Sequence, residues 1–165
     1  MGRRIVFPAD FNVSERQSRA ESLFLQGYNC SQAVLLAFSD ILQGVDEDTL
    51  KVLASGLGGG VARLREVCGA VSAMAVIAGF ASPACVPADM ESRTANYALV
   101  QDMARQFKEE KGSIVCREIL GIRKTEKEGP RPSERTPDYY RTRPCVANVG
   151  LAARIVAKTL ISIEK

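Results

Sequence analysis

Apolar residues recur at three- and four-residue spacing along most of this 165-residue chain, and no stretch shows a convincing period of two. That pattern predicts an all-α fold. A first helix opens at Ser14, carries Ala20, Leu23 and Phe24 on one face, and stops at Gly27. Asn29 and Gln32 have the spacing of a capping box. They open a second helix whose stripe, Cys30, Ala33, Val34, Ala37, Phe38 and Ile41, runs on to Gly44. Asp46 or Asp48 caps a short third helix from Thr49 to about Ser55. A glycine-rich loop then leads through Cys68 into an almost uncharged stretch ending near Ala81. A helix apolar all round must be buried on all sides, and this one is shorter than the roughly 20 residues a bilayer requires.

After Pro83 and Pro87 a long amphipathic helix covers about Ala88 to Lys111, with Ala95, Leu99, Met103 and Phe107 inward and Gly112 closing it. Ile114 to Leu120 is a short helical turn carrying Cys116. Pro144 opens a final helix with Cys145, Val149, Ala152, Val156 and Leu160 on one face. Residues 122–143 are polar, hold three prolines, and read as an irregular surface loop. Residues 1–13 read as a surface leader. The expected architecture is one domain over 14–165, a compact bundle of about five to six helices around the buried central one.

Composition narrows the function. A hydrophobic content of 46% is ordinary for a globular chain, and the net charge of +3 comes from scattered basic residues. The small charge and its scatter argue against a nucleic-acid surface. No apolar run follows Arg3 and Arg4, so they do not read as a twin-arginine or secretory signal. With no membrane span expected, the cytoplasm is the expected compartment; thiols there stay reduced, and recurring cysteines point to metal or catalysis before structural disulfides. There is no histidine, hence no Ser–His or Cys–His pair and no His-ligated zinc.

The five cysteines, Cys30, Cys68, Cys85, Cys116 and Cys145, form no CxxC pair and no zinc-ribbon or ferredoxin spacing. Buried cysteines often act as small hydrophobes. However, Cys30, Cys68 and Cys145 fall at or near helix starts, where the dipole favours a thiolate, and Arg63 and Arg65 precede Cys68. If these cations outweigh burial, Cys68 is a thiolate near neutral pH and anchors the site. Gly58, Gly59 and Gly60 offer either amides to an anion or close backbone approach beside the cysteines; the Lys-Ser/Thr of a phosphate loop is missing. Arg63 and Glu66 form either a buried pair orienting this loop or two solvated charges. Tyr28, Tyr139 and Tyr140 read as packing or surface residues.

Four runs carry a resemblance: YNCSQAV at Tyr28–Val34, GLGGGVARLREVCGAVSA at Gly56–Ala73, VCREILG at Val115–Gly121 and RPCVANV at Arg143–Val149. In order and content they resemble the redox-active family named for its cysteine pattern, C_GCAxxG_C_C, over about Ala20 to Ala157. The chain departs from it at Ala73, where the motif has its last glycine, and at Arg65, where a small residue is usual. The resemblance implies four functional cysteines, Cys30, Cys68, Cys116 and Cys145, with Cys85 outside the set. A similar module accompanies a non-haem iron site in split-Soret cytochromes. The implication is four thiolates converging on an iron–sulfur cluster, with Gly58, Gly59, Gly60, Arg63, Glu66 and Gly69 around it; Cys₄ ligation suits such clusters. A metal-free thiol–disulfide protein and a non-catalytic helical binding module with core cysteines are the alternatives. The expected partner is a redox protein, with no nucleic acid and no membrane, and homodimer formation is left open.

Overall fold

Short polar side chains decide where most of the helices begin. In the computed structural model, which describes residues 2–164, Asn12 accepts from the Glu15 amide and starts α1 (Val13–Leu25), two residues before the Ser14 start the sequence suggested. Met1, in the expected leader, and Lys165 lie outside the described residues. Asn29 and Gln32 form the complete capping box and open α2 (Cys30–Leu36). Asp46 caps α3 (Glu47–Ala54). Next come α4 (Gly69–Ala81) and α5 (Met90–Lys111), the latter capped by Asp89 and closed by left-handed Gly112. Then follow α6 (Cys116–Leu120), α7 (Pro137–Thr142) and α8 (Cys145–Glu164).

The protein is all-α, with no strand among the described residues and eight helices where five to six were expected. The additional ones are short. The polar stretch 122–143 is not wholly irregular: Thr136 caps α7 and Pro137 takes its first position, where a missing N–H costs nothing. Conversely, α2 is shorter than its apolar stripe. The chain turns at Ala37–Leu42, and the Ile41 carbonyl accepts from the Val6 amide. This pairing also corrects the reading of the leader as pure surface, since Ile5 bridges Leu42 and is buried in the core.

Two helices form the centre. From α4, Ala70, Val71, Ala73, Met74, Ile77 and Ala78 are buried, but Gly79 is exposed and Val76 and Phe80 are half-buried, so it is not enclosed on every side. α8 buries Val149, Ala152, Val156 and Leu160 and packs on α1, α2, α4 and α5. By length and composition α8 could cross a bilayer, with a mean hydropathy of 1.5; here its apolar surface is mostly covered by neighbouring helices. α5 is less embedded than its stripe suggested: Met103 and Phe107 are buried, Leu99 is half-buried and Ala95 exposed.

Candidate functional site

The site is built on an unusual backbone. Gly59, Gly60, Val61, Ala62 and Arg63 have positive φ in succession, followed by Arg65 at 62°. For a residue with a Cβ this region costs about 1–2 kcal/mol, and β-branched Val61 is a particularly poor occupant. Local bonds hold the turn: the Leu64 amide donates to the Val61 carbonyl (2.9 Å), and the Glu66 amide to that of Gly60 (2.9 Å). The chain then runs antiparallel beside residues 114–117. Cys68 N–H donates to Ile114 O (2.8 Å), Cys116 N–H to Glu66 O (2.6 Å) and Arg117 N–H to Arg65 O (3.1 Å). This short ladder brings the start of α4, at Cys68, beside the start of α6, at Cys116.

Two glycines let the remaining backbone close in. A Cβ on Gly69 would stand 2.7 Å from Cys30 Sγ and 2.8 Å from the Leu57 carbonyl; one on Gly60 would stand 2.6 Å from the Cys116 Cβ. Cys30 opens α2 and Cys145 opens α8. Cys30, Cys68, Cys116 and Cys145 thereby line one cavity of about 60 Å³, together with Phe24, Ile119, Leu120 and Tyr139. Cys85 is exposed and does not line it, and all five cysteines are free thiols. Among the described residues no three His, Cys, Asp or Glu side chains are grouped so as to hold a metal ion. Asn148 also lines the cavity, and its buried Oδ1 has no hydrogen-bond partner among the described residues.

The electrostatics differ from the sequence expectation in one respect. Burial pushes the Cys68 thiol up, and neighbouring Cys30 and Cys116 push it further, against the opposing pull of the Ala70 and Val71 amides. The cations do not win there, because Arg65 turns towards Cys116, its Nη1 3.8 Å from that sulfur. Burial raises the Cys116 thiol as well, with Arg65 opposing. Cys145 is pushed up to about 11, by burial first and then by Cys30 and Cys116. In the absence of a bound cation Cys68, Cys116 and Cys145 are therefore neutral thiols at pH 7.

Arg65 is buried and binds Glu128 through Nε and Nη2. Arg63 reaches the same carboxylate at 2.9 Å and also donates to the Gly129 carbonyl and the Ser133 hydroxyl. The expected partner of Arg63, Glu66, is instead exposed and contributes only backbone bonds; its side chain lines no part of the cavity. Gly59 lines the cavity, Gly58 packs against the Asn29 side chain, and Gly60 and Gly69 lie against the cysteines. Ala73 is buried in the core and is not a cavity residue, so the methyl that replaces the motif glycine does not narrow the cavity.

Sequence reasoning missed Glu128, Arg135, Arg143 and Asn148 as site residues, and read Tyr139 as a packing or surface residue. Glu128 lies 63 residues from Arg65 in a segment with no periodicity. Arg143 and Asn148 stand within the RPCVANV run, which was the available signal. Glu128 leads to a pH prediction. Bonding to Arg65, with Arg63 adding its charge, holds this carboxyl below its ordinary 4.5 despite partial burial. A depressed carboxyl stabilises the fold above its ordinary value, and that contribution is lost as pH falls through the folded value. Glu128→Gln should therefore cost about 2 kcal/mol at neutral pH, and urea unfolding at successively lower pH should show the gap to wild type closing below about 4.5. A gap independent of pH would contradict the pairing.

No curated protein and no solved structure matches the chain. One protein family does, described as "Putative redox-active protein (C_GCAxxG_C_C)", and its match spans residues 28–159, all five cysteines included. Most of the chain lies within that match, so the chain belongs to the C_GCAxxG_C_C family of redox-active proteins.

Proposed function

We propose that this protein transfers electrons through an iron–sulfur cluster held by Cys30, Cys68, Cys116 and Cys145. The observation carrying the reading is that four free cysteines from four separate segments line one small cavity while the fifth does not. The chemistry of the donor set fits. Cys68, Cys116 and Cys145 are each pushed up, by burial first and in part by neighbouring Cys30, so thiolates here are unfavourable neighbours, and a bound cationic metal centre removes that repulsion. Close approach at Gly69 and Gly60 seats Cys30 and Cys116 against the backbone, and Asn148, whose buried Oδ1 is unpartnered among the described residues, lines the same cavity.

When bound, such a cluster supplies one-electron exchange. The chain's own contribution is to exclude water with Phe24, Ile119 and Leu120, and to direct the Arg65 guanidinium at Cys116 Sγ, an N–H to sulfur contact of the kind that raises a cluster potential. Five free thiols suit a reducing compartment, which we take to be the cytoplasm. Anaerobic purification followed by iron and acid-labile sulfide determination tests the reading. Iron and sulfide in near-equal amounts are expected. Protein that stays free of both after anaerobic reconstitution, yet forms a disulfide among these cysteines with mild oxidant, would favour metal-free thiol–disulfide chemistry instead.

A further inference from the structure

Next to the cysteine cavity lies a second, larger chamber of about 310 Å³, and its walls are strongly cationic. Arg63, Arg65, Arg135 and Arg143 all line it, with the Gly58–Gly59 backbone and Tyr139. Arg63 and Arg65 share one carboxylate, Glu128. Arg135 and Arg143 form no ion pair among the described residues. Both guanidiniums instead lie against the Tyr139 ring, at 4.9 Å and 4.8 Å from its centroid. Arg135 donates to the Phe24 and Tyr28 carbonyls, which fix it in place without neutralising it. Arg143 makes one long contact, 3.5 Å, to the Ser133 hydroxyl.

Two like charges held against one ring repel each other, and no carboxylate is among the residues lining this chamber. Four guanidiniums line the chamber and one glutamate pairs with two of them, an excess of positive charge that an incoming anion offsets. The planar donor fork of arginine favours carboxylate and phosphate, which accept two parallel bonds. Asn29, Gly59, Arg65, Arg135, Tyr139 and Arg143 line both chambers, so an anion in the larger one sits at the mouth of the cysteine cavity.

We infer that the larger chamber binds a small organic oxyanion, a carboxylate or phosphate ester, and holds it against the cysteine site as substrate or effector. This holds whether the cysteines carry a cluster or act as thiols. The test is equilibrium dialysis of the anaerobically purified protein against inorganic phosphate and, separately, citrate, at constant ionic strength set with sodium chloride. Saturable binding of at least one of the two is expected, and which one binds tells phosphate from carboxylate preference. Arg143→Gln should weaken it at least tenfold. Arg105→Gln, on the exposed face of α5 with its own partners Asp102 and Glu109, should leave it unchanged. If Arg143→Gln does not fold, Arg143→Lys serves, since it keeps the charge but loses the fork and should weaken binding less. In chelator-treated protein the bound anion should also slow alkylation of the cavity cysteines but not of exposed Cys85. Absence of saturable binding by both anions, or equal loss in Arg105→Gln and Arg143→Gln, would overturn the inference.

Discussion

Cys68→Ser is expected to lose most of the bound iron and sulfide and stay folded, whereas Cys85→Ser should keep both at the wild-type level. Cys68 stands where the turn after the glycines, α4 and the 114–117 segment meet. It precedes α4, its amide is bonded to Ile114, and its carbonyl accepts from Ser72, so the backbone position is fixed independently of the side chain. A buried hydroxyl costs about 1–3 kcal/mol when unpaired. The Ala70 and Val71 amides that act on the sulfur can serve serine as an N-cap and offset part of that. The folded state should therefore persist while a thiolate donor is replaced by a hard, poorly ionised oxygen. Cys85 is exposed and away from the cavity, so its loss changes no donor. The paired measurement is iron and sulfide per chain with a far-ultraviolet dichroism spectrum of each variant. Cluster retained in Cys68→Ser and lost in Cys85→Ser would reverse the assignment.

Gly60→Ala should destabilise the protein by about 3 kcal/mol or more and deplete the cofactor as well. Gly60 has a φ of 67°, within the consecutive positive-φ turn, and is buried. Its missing side chain is occupied on all sides: a Cβ would meet the Cys116 Cβ at 2.6 Å, the Glu66 amide at 2.8 Å and the Arg65 Cα at 2.9 Å. Two of these are backbone atoms of the ladder joining Cys68 to Cys116, so no side chain can swing aside to make room. Relief requires the turn to shift away from α6, which separates the cysteines that the ladder brings together. Gly56→Ala is the control, since a Cβ there meets nothing within 4 Å. Chemical denaturation and iron content of the two variants check this. A loss under 1 kcal/mol with full iron in Gly60→Ala would show that the close approach is not needed.

Local chemistry was legible where it is decided within three or four residues. The Asn29–Gln32 box, the Asp46 cap and the Gly112 stop are each visible in the sequence and present in the fold. The end of α2 was hidden because Phe38, Ile41 and Leu42 continue the apolar pattern; what turns the chain is pairing with Ile5 and Val6, more than thirty residues away. The Thr136–Pro137 start of α7 was a readable signal masked by the surrounding polar residues. The glycines announced an unusual backbone, but not that Val61, Ala62, Arg63 and Arg65 would share it, since those residues prefer negative φ. The Arg65–Glu128 pair, the assignment of Arg65 to Cys116 in place of Cys68, and the cationic chamber all depend on long-range folding that no spacing encodes. Grouping four cysteines came from the family motif, because 29 to 48 residues separate them in sequence.

Counting reactive thiols in anaerobic native protein, before and after an iron chelator, tests the central claim most directly. With a cluster on Cys30, Cys68, Cys116 and Cys145, alkylation followed by peptide mapping should label Cys85 alone at first. After chelation the other four should become reactive together, in step with iron release. Labelling that is the same with and without chelator, or a chelator-sensitive set that includes Cys85 and omits Cys68, would contradict a shared four-cysteine site.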